Sequence, residues 1–111
     1  MITFIELWKA NDNWRLLDQE GRGAYLSKMQ PSIPAFLDKG AQILGWGIND
    51  KIDDHKGEFD YFAVWTFPDQ DLLVQFKSLL QDANWYHYFD QINIAGDNQT
   101  PEPIIGHMIQ N

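Results

Sequence analysis

Two side chains, Glu6 and His87, are candidates for moving a proton. Glu6 lies within an apolar N-terminal segment. Burial beside aromatic rings would raise the pKa of its carboxyl group and make it a base near neutral pH. The alternative for Glu6 is a structural role, paired with a lysine or arginine or hydrogen-bonded to a tyrosine. His87 suits proton transfer or haem ligation at the mouth of a cavity, or else it caps the carbonyls at the end of a helix.

Aromatic residues at strand spacing are the candidates for contacting a small, flat, hydrophobic molecule. The chain has five tryptophans, and rings spaced in this way also commonly pack in a core, so both roles stay open. A polar amide or a phenol among the rings would hold an oxygen atom of such a ligand. The predicted ligand-binding residues are Phe4, Trp8, Trp46, Tyr61, Trp65, Tyr88 and Asn93.

The residue types argue against several other chemistries. The chain has no cysteine, which excludes disulfides, thiolate metal sites and cysteine nucleophiles. The acidic residues between 50 and 60 lack the spacing of an EF-hand, and Gly45-Trp46-Gly47 lacks the pattern of a phosphate-binding loop. The glycines of that segment instead indicate a bulge or a close approach to a ring. We therefore predict neither a metal nor an organic cofactor.

Length and charge limit the possible partners. A chain of 111 residues, 44% of them hydrophobic, predicts a single globular domain at residues 1–111. The formal net charge is −8, so no basic surface is offered to phosphates, and we expect neither nucleic acid nor a membrane as a partner. No segment resembles a signal peptide and no apolar run approaches ~18 residues, which favours a cytoplasmic protein.

Four segments have the composition of strands. They are rich in β-branched and aromatic residues and are bounded by turn-forming residues. The polar residues 50–57, between the second strand and the third, predict a longer loop rather than a tight hairpin. The predicted strands are residues 2–8, 41–49, 59–67 and 91–95.

Apolar residues three and four apart predict helical segments between the strands. A short helical turn at residues 14–17 should be followed by two helical pieces, which Pro31 divides and Gly40 ends. Asp69 is the predicted N-cap of a second helix, and Thr100-Pro101 begins a short C-terminal helix.

The order of these elements predicts the fold. The sequence β-α-β-β-α-β is that of the ferredoxin-like split βαβ motif, an α+β fold with a four-stranded antiparallel sheet in the order 4-1-3-2. Right-handed crossovers place both helical layers on one face of that sheet.

Strand alternation divides the sheet residues into two sets. One set is compact and wholly apolar, and we expect the helices to cover it. It consists of Ile5, Leu7, Phe62, Val64, Ile92 and Ile94. The other set is too aromatic to face water and too polar to be a plain core. It consists of Phe4, Glu6, Trp8, Tyr61, Ala63, Trp65, Gln91 and Asn93. We therefore predict a homodimer in which a second copy covers this aromatic face and encloses a cavity.

Several segments resemble a known group of proteins. They are Phe4-Ile5-Glu6-Leu7-Trp8-Lys9, Gly45-Trp46-Gly47, Asp60-Tyr61-Phe62-Ala63-Val64-Trp65 and Trp85-Tyr86-His87-Tyr88-Phe89. Together with the element order, they make the chain similar to the dimeric α+β barrel superfamily. Within it, the chain resembles a family of small bacterial proteins of unknown function. The resemblance covers nearly the whole chain and brings no catalytic residues with it.

The resemblance implies several classes of function, among which the fold alone does not choose. The superfamily includes cofactor-independent quinol monooxygenases, muconolactone isomerases and haem-binding proteins. A related enzyme would act on a small hydrophobic or aromatic compound in the cavity, with Glu6 or His87 moving a proton. The alternatives are a ligand-binding dimer without catalysis and a purely structural homodimer.

Overall fold

The computed structural model describes all 111 residues, Met1–Asn111. Four strands form one antiparallel sheet in the order β2-β3-β1-β4, and a short C-terminal helix follows, so the predicted topology is confirmed. The elements are β1 (Ile2–Ala10), α1 (Asp12–Arg15), α2 (Gln19–Met29), α3 (Ser32–Asp38), β2 (Gln42–Ile48), β3 (Tyr61–Phe67), α4 (Gln70–Asp82), α5 (Trp85–Tyr88), β4 (Phe89–Asp97) and α6 (Pro101–Gln110).

Turn and capping residues explain where the helices begin and end. The Asp69 carboxylate accepts the backbone N–H of Leu72 at 2.9 Å and caps α4 as predicted. Helix α2 ends just before Pro31 and α3 begins just after it, which confirms the predicted break. Gly40 follows α3 with φ +107°, a backbone conformation that favours glycine. The chain therefore reaches β2 through a left-handed turn.

The prediction of which sheet face the helices cover is wrong. The aromatic face packs under α3 and α4 of the same chain: the ring of Phe76 on α4 lies 4.9 Å from that of Trp65 and 6.2 Å from that of Phe4. Phe36 on α3 lies 5.3 Å from the same Phe76 ring. We call this the inner face; its buried residues are Phe4, Glu6, Trp8, Ala63, Trp65 and Phe67. The large aromatic rings fill much of the space between the sheet and the helices, so the aromatic set forms the hydrophobic core of the single chain.

The compact apolar set, which was expected under the helices, lies on the open side of the sheet. We call this the outer face; it consists of Ile5, Leu7, Phe62, Val64, Ile92 and Ile94. None of these residues is buried, and Ile92 and Ile94 are 50% and 55% exposed. A contiguous apolar patch of this kind is typical of an interaction surface. The exposed apolar surface that favours pairing with a second copy is therefore the outer face, and not the aromatic face.

Strand β2 contains the irregularity that its glycines predict. The pairing of β2 with β3 shifts between Ile43 and Gly45, as at a β-bulge. A Cβ atom at Gly47 would lie 2.7 Å from the Phe62 ring, which lies across this position on the outer face. Glycine is thus required here by a close approach to an aromatic ring, and both predicted roles of the segment are confirmed.

Helix α6 extends from the body of the fold. Its apolar residues Ile104, Ile105, Met108 and Ile109 are all exposed, and the helix makes few contacts with other elements. The radius of gyration is 16.0 Å, compared with about 13 Å for a compact domain of ~100 residues. None of the helices combines the length and the apolar character needed to cross a bilayer.

Candidate functional site

A cavity of about 320 Å³ lies between the inner face and the helices of the same chain. The sheet contributes Glu6, Trp8, Trp46 and Trp65 to its wall. The helices contribute mainly apolar side chains, including Leu26, Met29, Ile33, Phe76, Leu79 and Leu80. An apolar enclosure with few polar groups is characteristic of small-molecule sites.

The helical side of the cavity is held in place by a contact between α2 and the end of α4. The Tyr25 hydroxyl on α2 donates a 2.7 Å hydrogen bond to the backbone carbonyl of Ala83. Burial raises the pKa of Tyr25 above its ordinary value, and the neighbouring Tyr88 raises it further. The phenol therefore stays protonated and continues to donate this hydrogen bond. This contact joins α2 to the end of α4, and both helices contribute side chains to the cavity wall.

Glu6 is the one acidic side chain in the core, with 5% of its surface exposed. Its Oε1 accepts the indole N–H of Trp65 at 2.9 Å, and its Oε2 accepts the side-chain amide of Gln91 at 2.8 Å. The register of the sheet explains this geometry, because β1 lies between β3, which carries Trp65, and β4, which carries Gln91. Each carboxylate oxygen is therefore satisfied by a neighbouring strand.

The direction of these hydrogen bonds is determined by the two indoles, because an indole N–H can only donate. Trp85 donates to the Gln91 Oε1 at 2.8 Å, so the Gln91 amide nitrogen must face Glu6. That nitrogen also donates to the Asn93 side-chain oxygen at 2.8 Å. The network thus offers two N–H groups to Glu6, an arrangement that suits its acceptor-only carboxylate form.

Two opposing effects act on the pKa of Glu6. Burial raises it above the ordinary value of 4.5, and the hydrogen bonds from Gln91 and Trp65 lower it, with burial the larger effect. The pKa of nearby Tyr86 is also raised, first by burial and further by the charge of Glu6, while its hydrogen bond to Asn93 acts in the opposite direction. Glu6 therefore holds its proton to a higher pH than an exposed glutamate does.

The structure brings four of the predicted site residues together. Glu6, Trp8, Trp46 and Trp65 line the same cavity, although it lies under the helices of one chain rather than between the sheets of two copies. Trp8 lies centrally among the indoles, with its ring 6.4 Å from that of Trp46 and 6.1 Å from that of Trp85. A role for these residues in binding stays a prediction.

Four predicted residues lie around this cavity without lining it. Phe4 is fully buried beside Phe67, and Tyr61 stacks on Trp8 at 5.7 Å. Tyr88 packs its ring edge-on against Tyr25, 4.8 Å away. Asn93 lies beyond Gln91 in the hydrogen-bonded network. Their geometry fits support of the cavity wall and the network.

His87 lies outside the cavity. It is exposed on α5, and its ring packs edge-on against Tyr88 at 4.9 Å. Its backbone carbonyl accepts hydrogen bonds from the side chains of Asn11 and Asn13, at 3.0 and 2.9 Å. Glu6 and His87 therefore do not share a cavity, and any proton transfer inside it depends on Glu6.

Residues that complete the site were missed at the sequence level. The helical wall is not among the predicted site residues, because the helices were expected on the opposite face of the sheet. Trp85 and Gln91 are not among the predicted binding residues, although Trp85 belongs to the aromatic segment and Gln91 lies on the same strand face as Glu6. The signal that could have found Gln91 is its position on the neighbouring strand, on the same face as Glu6.

No group of three or more His, Cys, Asp or Glu side chains is arranged to hold a metal ion. Haem iron is held by a histidine, a cysteine thiolate, a tyrosine, or a methionine paired with a histidine. Met29 is the one such residue in the cavity wall, and no histidine or tyrosine lies there with it. The residues present therefore do not fit a haem in this cavity.

Comparison with solved structures places the fold in a known class. A chlorite dismutase-like protein of known crystal structure superposes with a TM-score of 0.64 at 16% sequence identity. The match covers 96% of this chain and 48% of that one, so this chain spans about half the length of its structural neighbour. The two proteins therefore share the ferredoxin-like α+β fold. At this low sequence identity, the similarity does not indicate a shared activity.

The chain belongs to a family of unknown function, DUF6616, which it matches over residues 1–111. No curated protein matches the sequence. The predicted membership in a family of unknown function within this fold class is confirmed.

The raised pKa of Glu6 makes a prediction about stability. Between 4.5 and its folded-state pKa, the folded protein binds more protons than the unfolded chain, so the free energy of unfolding should fall as pH rises through this window. Denaturant titrations from about pH 4 to pH 8 should show this decline in the wild type and not in Glu6→Gln. The control is Glu102→Gln on the exposed α6, which removes the same charge and should keep the decline. Parallel profiles for the wild type and Glu6→Gln would contradict the assignment.

Proposed function

We propose that this protein binds a small, flat, hydrophobic molecule in the cavity between its sheet and its helices. The observation that carries the proposal is the cavity itself, about 320 Å³ in volume and walled by indole and aliphatic side chains around the Glu6 carboxyl group. Apolar walls favour a hydrophobic ligand, and the few polar groups would orient it. Glu6 can accept a further hydrogen bond on its remaining lone pairs, so a ligand hydroxyl would be held at the cavity floor.

A second candidate function is proton transfer to and from the bound ligand, as in an isomerisation or a cofactor-independent oxygenation. The observation that favours it is the raised pKa of Glu6, which brings a carboxyl group closer to the range useful for general base catalysis. Glu6 would accept a proton from an acidic position of the ligand. In that case, Glu6→Gln would retain binding and lose about 10²- to 10⁴-fold in turnover.

We also propose that two copies pair through the outer face. Ile92 and Ile94 on β4 are half exposed, and the partly exposed Ile5 and Val64 continue the same patch across the sheet. Two such faces are self-complementary under a twofold axis, which is the commonest symmetry of homo-oligomers. Pairing would bury the apolar surface that the helices leave open, on the side of the sheet opposite the cavity.

Filling the cavity tests the binding site. Leu79→Trp on α4 places a larger ring in the cavity, whereas Val74→Trp makes a comparable change at an exposed position of the same helix. With 2-naphthol as the probe, isothermal titration calorimetry should show at least about tenfold weaker binding to Leu79→Trp and unchanged binding to Val74→Trp. Equal affinity of 2-naphthol for both variants would refute the proposed site.

Charge on the outer face tests the homodimer. Sedimentation equilibrium at micromolar concentration should give about twice the chain mass of 12.9 kDa for the wild type. Ile94→Lys should give the monomer mass, because a lysine on the face would be buried without a partner. Ile52→Lys is the control, since Ile52 is fully exposed in the loop between β2 and β3 and should leave the dimer intact. A monomeric wild type would overturn the proposal.

A further inference from the structure

The carboxyl group of Glu6 has no cationic partner within the chain. Its two hydrogen-bond donors, the Trp65 indole and the Gln91 amide, are both neutral. The ion pairs of the structure, Arg15–Asp12 and Lys51–Asp50, lie on the surface, and no lysine, arginine or histidine lines the cavity. Buried charges in proteins are normally paired, so the cavity holds a charge without a counterion whenever Glu6 is ionised.

The walls around this carboxyl group are unusually rich in indole rings. Four of the five tryptophans, Trp8, Trp46, Trp65 and Trp85, line the cavity. Their rings are neighbours, with Trp46 6.4 Å from Trp65 as well as from Trp8. The face of an indole attracts a cation more strongly than that of any other aromatic side chain, and cages of such rings bind alkylated ammonium groups.

We propose that the ligand of this cavity is an organic cation whose ammonium group lies against the Glu6 carboxylate and among the indole rings. This inference rests on the proposed function and specifies its ligand class. The ligand supplies the positive charge that the chain does not, while its apolar substituents fill the aliphatic part of the cavity formed by residues such as Leu26 and Leu80. A net charge of −8 also favours the approach of a cation over that of an anion.

The charge of Glu6 gives the binding a definite pH dependence. Only the ionised carboxylate attracts an ammonium group, so affinity should fall as pH is lowered through the pKa of Glu6, which burial raises. Tyr86 is the other titratable group that acts on Glu6, and its own raised pKa keeps it neutral over the same range. The side chains that α2, α3 and α4 present to the cavity are uncharged, and the polar residues there are Ser32 on α3 and Gln30, which follows α2.

A pair of isosteric ligands tests the proposal. Choline carries a trimethylammonium group, and 3,3-dimethyl-1-butanol carries an uncharged tert-butyl group of the same shape. Isothermal titration calorimetry of the wild-type chain at pH 8 should show choline binding at least about tenfold tighter than the alcohol. In Glu6→Gln this preference should shrink by about tenfold or more, because the variant keeps the size of the side chain and removes its charge.

A second variant keeps the test independent of the folding of Glu6→Gln. Trp46 is half exposed, so Trp46→Leu should preserve the fold, as circular dichroism would show. It should weaken choline binding by about three- to thirtyfold, the range for a lost cation–π contact, and change binding of the alcohol by less than about threefold.

The outcomes separate this inference from the function on which it rests. Equal or tighter binding of the alcohol would overturn the cation assignment and leave a neutral-ligand site. Binding of 2-naphthol without choline would do the same. If 2-naphthol, choline and the alcohol all fail to bind, both the inference and the proposed function are wrong.

Discussion

The carboxyl group of Glu6 is buried, and donors from its own chain satisfy both of its oxygen atoms. These donors come from both neighbouring strands, so the network ties β3, β1 and β4 together across the inner face. The indole of Trp85 orients the Gln91 amide and joins α5 to the same network. The position of the site therefore depends on the order of the strands. This order places the Glu6 carboxylate on the central part of the inner face, and the cavity lies between it and the helices.

The elements of the fold could be predicted because their signals are local. Pro31 divides the helical segment, Gly40 turns the chain out of it, and Asp69 caps the next helix, each through a property of that single residue. The β-bulge before Gly45 and the close approach of Phe62 to Gly47 also follow from the glycines of one strand. Such features need no knowledge of the tertiary structure.

The side of the sheet that the helices cover could not be predicted in the same way. Alternation shows that Phe4 and Glu6 share a face and that Ile5 and Leu7 share the other, but it does not show which face is covered. The set with Ile5 and Leu7 is wholly apolar, whereas the other contains Glu6, Gln91 and Asn93, so polarity favoured the wrong face. The structure shows that the larger rings lie inside, where Trp65 and Phe76 fill the space between sheet and helix. Packing volume, more than hydrophobicity, separates the two faces.

This inversion changes how the parts of the molecule are divided between folding, binding and assembly. The indoles, expected to form a dimer interface, are shared between the core and the proposed ligand site of one chain. The outer face, with Ile92 and Ile94, is left for contact with a second copy. Binding and pairing are thus proposed to use opposite sides of the same sheet, and His87 lies outside the cavity.

The central claim is that a ligand enters the cavity beside Glu6, and the five indole N–H groups provide the most direct test. Four of the tryptophans line the cavity, and Trp14 instead packs against Tyr25 and Phe89. In a two-dimensional NMR titration with 2-naphthol, the indole signals of Trp8, Trp46, Trp65 and Trp85 should shift, while that of Trp14 should stay in place. Shifts of the Ile92 and Ile94 methyl signals with unchanged cavity indoles would place binding on the outer face and contradict this account.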